Sequence, residues 1–257
     1  DWESGMVIGG HSTFGMFDGD LAEIFYFKSS ISDCQRNILT NYLAAKYGIS
    51  IANDLYAYET GNGYGLAGIG RESSSDYHLK ALSDGLLGLS NPSDLEDGEY
   101  VFTGHDNGKI SSWTSTGVPN NDTNLYRLAR EWRVDTIGNP GTIDLFLDTT
   151  LLPGKPSGFS SYVLWKDDNG DFTADASECK LEYNASEGYY YIHNVPVNEG
   201  DYIAIGMVRP LVQFSSDSTA IHERDGSATV QLEMSRPSTS LVTANYTISG
   251  GTATGSG

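Results

Sequence analysis

The densest run of oxygen-bearing side chains is Asp167-Asp168-Asn169-Gly170-Asp171-Phe172-Thr173-Ala174-Asp175-Ala176-Ser177-Glu178. Counted from Asp167, side-chain oxygens fall at positions 1 (Asp167), 3 (Asn169), 5 (Asp171), 9 (Asp175) and 12 (Glu178), and the Thr173 carbonyl falls at 7. Calcium is a hard cation that gathers about six to eight oxygens, and this is the ligand spacing of a twelve-residue calcium loop. Ca²⁺ is therefore the expected cofactor. Two features depart from the pattern. Position 6, where the sharp turn takes glycine, is Phe172, while Gly170 stands at position 4. Helices do not flank the loop either, since Tyr162-Val163-Leu164-Trp165 reads as a strand. The competing reading is a solvated turn, because Asp-Asn-Gly favours turns without any ion.

Other residues offer less chemistry. The histidines are His11, His78, His105, His193 and His222, and none has metalloprotease spacing or a serine elbow nearby. His105 is followed by Asp106, without an evident nucleophile. Cys34 reads as lying inside a helix rather than at an activating terminus, which makes it a poor nucleophile. Cys34 and Cys179 fit either one disulfide or two buried thiols. Asp18, Asp20 and Glu23 could pass for glycosidase carboxylates, but strand alternation separates Glu23 from the other two and Gly19 interrupts the strand. Gly61-x-Gly63-x-Gly65 and Gly68-x-Gly70 lack the helix that a dinucleotide site needs, and loops account for them. Trp113, Trp132, Trp165 and Tyr189-Tyr190-Tyr191 could stack on a glycan. In a strand, however, Tyr189 and Tyr191 share one face and Tyr190 takes the other, so at least one face is core.

The elements that must hold these residues are mostly strands. Thirty glycines and sixteen tyrosines stand beside few helix formers, which suits strands joined by tight turns. Period-two alternation marks Glu99–Thr103, Thr142–Asp148 and Tyr202–Val208, and Leu21–Phe27 also reads as a strand. One helix stands out. Ser32 and Gln35 form a capping box, Ile38, Leu39, Tyr42, Leu43 and Tyr47 recur along one face, and Gly48 suits the left-handed stop. Beyond Arg209-Pro210, three strands are expected at Val212–Phe214, Ala228–Met234 and Val242–Ile248. The net charge of −19 repels phosphate backbones and anionic membranes, so neither nucleic acid nor membrane insertion is expected.

Three stretches resemble known families. Phe17-Asp18-Gly19-Asp20-Leu21-Ala22-Glu23-Ile24-Phe25-Tyr26 with Ile31-Ser32-Asp33-Cys34-Gln35-Arg36 is similar to the end of a laminin-G/concanavalin-like sandwich, and Tyr42–Ile49 resembles large secreted proteins of gliding bacteria. Leu66–Arg71 and Arg130–Val134 resemble an uncharacterised β-rich domain that follows such sandwiches. Val212-Gln213-Phe214, Ile221–Val230, Ser235–Ser238 and Gly251–Thr254 resemble the first half of a Calx-beta domain, an Ig-like sandwich that often binds calcium. That resemblance implies Glu223 as a calcium ligand, with Asp225 beside it.

The expected protein is all-β: multidomain β-sandwiches with one short helix after the first segment. Residues 1–49 would end a concanavalin-like sandwich and include the helix, 50–208 would form a β-sandwich, and 210–257 a partial Calx-beta domain. The opening at Asp1 reads as the interior of a longer polypeptide, with further domains of the same chain on both sides. The resemblances imply a secreted or cell-surface protein, of a kind often exported by the type IX route, that carries no catalytic centre. Its role would be adhesion or spacing, with a surface glycan or a protein as ligand. Accessory modules of a carbohydrate-active enzyme and a structural filament subunit are the alternatives.

Overall fold

Alternating apolar residues in the middle of the chain close into two stacked antiparallel sheets. The computed structural model describes residues 8–11, 13, 15–218, 226, 229–235, 241–247 and 249. The fold is all-β, with a short α-helical share. The chain divides into two compact units, Asp1–Ile31 and Ser32–Gly257.

In the first unit, β1 (Gly10–His11) pairs with β2 (Gly15–Met16). The strand expected at Leu21–Phe27 does not form, and Leu21, Ile24, Phe25 and Phe27 are exposed. Alternation makes a strand only where another edge supplies ladder hydrogen bonds, and no described strand pairs with this stretch.

The second unit opens with α1 (Asp33–Tyr47). The capping box is made as expected, with Gln35 N–H donating to Ser32 Oγ at 3.3 Å and Ser32 N–H to Gln35 Oε1 at 3.1 Å. Gly48 stops the helix at φ +63°. The buried face shares Ile38 and Tyr42 with the expected one and adds Cys34 and Ala45, while Tyr47 is exposed. The helix that the sequence assigned to the first segment packs on the sandwich that follows, because its inward side chains meet Leu66, Tyr100 and Phe102 there.

After α2 (Glu59–Asn62) the strands are β3 (Tyr64–Ser73), β4 (Asp76–His78), β5 (Lys80–Ser83), β6 (Leu87–Ser90) and β7 (Glu99–His105). A 3-10 turn at Pro119–Asn121 precedes β8 (Leu125–Ile137), β9 (Thr142–Leu147), β10 (Ser161–Asp167) and β11 (Ser177–Lys180). Then come β12 (Glu182–Asn184), β13 (Tyr189–Pro196) and β14 (Tyr202–Val208). One sheet has seven strands in the order β11-β10-β14-β8-β7-β3-β4, and the other has five in the order β12-β13-β9-β6-β5. Ile69, Val101, Trp132, Leu164, Ile203 and Ile205 from the first meet Leu87, Leu89, Ile143, Leu145 and Val195 from the second.

Several glycines expected in loops lie inside β3. A side chain at Gly68 would meet the Phe102 ring at 2.6 Å, so the glycine makes room for an aromatic on the neighbouring strand. Past the sandwich, β15 (Val212–Phe214) pairs, among the described residues, only with β16 (Leu232–Met234). Residues 242–247 form no strand although alternation predicts one. A two-stranded ribbon offers no broad apolar face to order a third.

Candidate functional site

The acidic loop joins β10 to β11. Asp167 closes β10 opposite Tyr202 at the start of β14. Its carboxylate is buried, and Oδ1 accepts the N–H groups of Asn169 (2.9 Å) and Gly170 (2.6 Å). Oδ2 is buried with no hydrogen-bond partner. Asp168 and Asp175 are exposed, and ligand oxygens of Asp167, Asp168 and Asp175 all lie within 4.8 Å of one another. Like charges this close repel by about 1 kcal/mol per pair even in water.

This set differs from the one that spacing suggests. Asn169 Oδ1 accepts the Asp171 N–H at 2.7 Å. Asp171 Oδ1 accepts both the hydroxyl (2.5 Å) and the N–H (3.1 Å) of Thr173, and these bonds hold its carboxyl below the usual carboxylate range. The Thr173 carbonyl accepts the Asn120 N–H at 3.0 Å. Glu178 lies on β11 opposite Trp165 and is not among the residues that converge. Spacing thus finds Asp167 and Asp175 and misses Asp168. Phe172 explains the departure. Its ring is buried against Val118, Val163, Trp165, Ala204 and Val208 on the outer face of the seven-stranded sheet. Burying it contributes roughly 1.5–3 kcal/mol, which pulls the loop away from the regular ligand geometry. Gly170, at φ +84°, takes the turn instead. Glu223 and Asp225 lie outside the described residues.

The donor chemistry still fits calcium. All three converging groups are hard anionic oxygens, and the unpartnered Asp167 Oδ2 is an acceptor whose burial costs free energy unless something positive meets it. Asp167, Asp168 and Asp175 would hold the ion, with water completing the shell. The ion would supply charge neutralisation and a cross-link within the loop.

The histidines that face acids are occupied. His105 is fully buried and pairs with Asp84, not with the adjacent Asp106. Asn107 N–H donates to Nδ1 at 3.0 Å, so the ring proton sits on Nε2 and is donated to Asp84 Oδ2 at 2.8 Å. No lone pair remains to serve as a base. The hydrogen bond from His105 holds the Asp84 carboxyl below its ordinary value. His193 Nδ1 meets Asp144 Oδ2 at 2.8 Å.

Residues 87–201 match the family model described as Domain of unknown function (DUF8202). The matched stretch runs from the first residue of β6 to the residue before β14, so it contains the whole acidic loop but neither α1 nor β3. No curated protein and no solved structure matches the chain.

Both cysteines are free and buried, Cys34 on the inward face of α1 and Cys179 in the sandwich core. Cys34 does lie in the first helical turn, contrary to expectation, but burial pushes its thiol up to about 11, so the conclusion that it is a poor nucleophile stands on desolvation. Trp132 and Trp165 are core residues, which removes them from any glycan platform. Tyr190 turns inward against Tyr162, while Tyr189 and Tyr191 stack on Phe146, both at 5.3 Å.

Proposed function

We propose that this chain is a non-enzymatic segment of a secreted bacterial surface protein, an adhesion or spacer module stiffened by Ca²⁺ at Asp167, Asp168 and Asp175. The observation that carries the calcium reading is the convergence of these carboxylates around a buried, unpartnered Asp167 oxygen. A cation there neutralises charges that otherwise repel and ties the start of β11 to the end of β10. The topology supports a tension-bearing role. The last strand of the sandwich, β14, is hydrogen-bonded on both edges, to β10 and β8. A pull along β14 must shear both ladders together, and Asp167 sits beside its first residue. The net charge of −19 suits extracellular calcium and disfavours nucleic acid as a partner. Among the described residues no helix is long and apolar enough to cross a membrane.

A second reading, an accessory glycan-binding module of a carbohydrate-active enzyme, draws on the open groove of mixed polar and apolar lining beside His193 on the five-stranded sheet.

Thermal unfolding in calcium and in excess chelator tests the first reading. At a calcium concentration about a hundredfold above Kd, binding adds about 2.7 kcal/mol. For a domain of this size that raises Tm by roughly 5–10 °C. Asp175→Asn should abolish the increment while leaving the chelated Tm nearly unchanged. Identical melting curves with and without calcium would remove the ion from the account.

A further inference from the structure

The five-stranded sheet presents an outer face surfaced by its own side chains. Leu87, Leu89, Leu145, Tyr190 and Ile192 pack toward the core, so alternation places Gly88, Ser90, Asp144, Phe146, Tyr191 and His193 outward. Lys80, on the edge strand β5, reaches across. Its Nζ stands 4.8 Å from the Phe146 ring centroid, donates to Tyr191 Oη at 2.9 Å and pairs with Glu187 Oε2 at 2.6 Å. Next to this network lies a groove of about 460 Å³, within the size range of small-ligand sites. Ser90, Asn91, His193, Lys80 and Glu187 are among its lining residues.

Three features of the lining describe a ligand. First, Ser90 is 4% exposed and its Oγ has no hydrogen-bond partner, so a buried hydroxyl, both donor and acceptor, awaits one. Second, the groove offers little net charge to an ion. Lys80 is matched by Glu187, and Asp144 is held by Asn91 (2.7 Å), His193 (2.8 Å) and the Asn194 N–H (3.0 Å). Third, the His193 side chain is 60% exposed, and its ring lies 6° from parallel to Tyr191 at 5.7 Å. Asp144 fixes the ring through Nδ1 and Tyr191 covers one of its faces, so this lining residue keeps its other aromatic face for a ligand.

We propose that this groove binds a neutral hexopyranose unit of a glycan. The sugar's C–H face lies on His193, and its hydroxyls bond to Ser90 Oγ and the Asn91 amide. A polyhydroxyl ring is the class that needs alternating donors and acceptors, one flat face and no countercharge. The assignment names a ligand for the adhesive reading above, on which its biological role rests, but its geometry does not depend on the acidic loop.

Titration calorimetry of the full chain with neutral oligosaccharides (glucan, mannan and galactan fragments), alongside uronic-acid oligomers, tests it in both calcium and chelator. At least one neutral series should bind saturably in the millimolar range, and the uronic acids should not. Ser90→Ala removes a hydroxyl that has no partner in the protein, so the fold should be as stable as before or slightly more so, while saccharide affinity falls about five- to tenfold. His193→Ala should weaken binding by a similar factor. Absence of binding by every neutral series, preference for the uronic acids, or undiminished binding by both variants would each overturn the assignment. A chain that melts higher in calcium yet binds no saccharide sinks this inference alone, and one that binds saccharide without any calcium response sinks only the metal.

Discussion

The two outer faces of the sandwich are finished in different ways. On the seven-stranded sheet, other parts of the chain cover the apolar surface: α1 lies over Leu66, Tyr100 and Phe102, and Phe172 of the acidic loop lies over Val163 and Trp165. On the five-stranded sheet, Phe146 is covered by Tyr189, Tyr191 and the Lys80 ammonium. The first solution is a second core. The second keeps polar atoms at the surface, and the groove of about 460 Å³ lies beside them. A face sealed by chain gains stability and loses access, while one sealed by its own long side chains keeps both in part.

The comparison breaks first if the two faces respond alike to truncation. Phe102 is fully buried and stacks on Tyr100 at 5.7 Å. Phe102→Ala should cost about 3–5 kcal/mol, the range for a large aromatic lost from a closed core. Tyr189→Ala, on the other face, removes a partly exposed ring and should cost about 1 kcal/mol. Urea unfolding of both variants measures the gap. Equal losses would mean that the five-stranded face is packed as a core.

Asp144 gives the next effect. Burial works against its charge, yet the donors from Asn91, His193 and Asn194 outweigh burial and hold its carboxyl below the ordinary value. A carboxyl depressed in the folded state contributes stability above its unfolded value near 4, and that stability is lost as pH falls through the folded value. Asp144→Asn should therefore cost about 1.5–3 kcal/mol at pH 7 and progressively less below about pH 4. Unfolding free energies at pH 7 and pH 3 give the two points. A cost independent of pH would show that the carboxylate charge plays no part.

Local patterns in the sequence carried what local physics determines. The Ser32–Gln35 box and the stop at Gly48 needed only neighbours in the chain, while the alternation at 99–103 and 202–208 became strands because β3, β8 and β10 supply paired edges. The acidic loop was half legible. Oxygen spacing pointed to Asp167 and Asp175, and Phe172 in the glycine position was the signal that the loop follows another path. Asp168 was passed over because it falls between the expected positions. The groove was not legible at all. Lys80 and Glu187 lie 107 residues apart, and His193 meets Asp144 across the ladder between β13 and β9, 49 residues away in the chain. The glycines of β3 were taken for loops because the rings that need their space stand on the neighbouring strand.

Lys80 supplies the smallest and sharpest test. It is about half exposed, as is Glu187, so water screens the pair and its Coulomb contribution stays at or below about 1 kcal/mol. The ammonium above Phe146 adds about 0.5–1 kcal/mol at such a site. Lys80→Met keeps an unbranched apolar stem over the ring and removes only the charge. It should cost about 1 kcal/mol at low salt and less in 1 M NaCl, where the Debye length falls to about 3 Å. A salt-insensitive loss of about 3 kcal/mol or more would mean that Lys80 acts as a buried plug. The outer face of the five-stranded sheet would then be sealed as firmly as the one beneath α1, and a groove beside it would have no means of opening to a ligand.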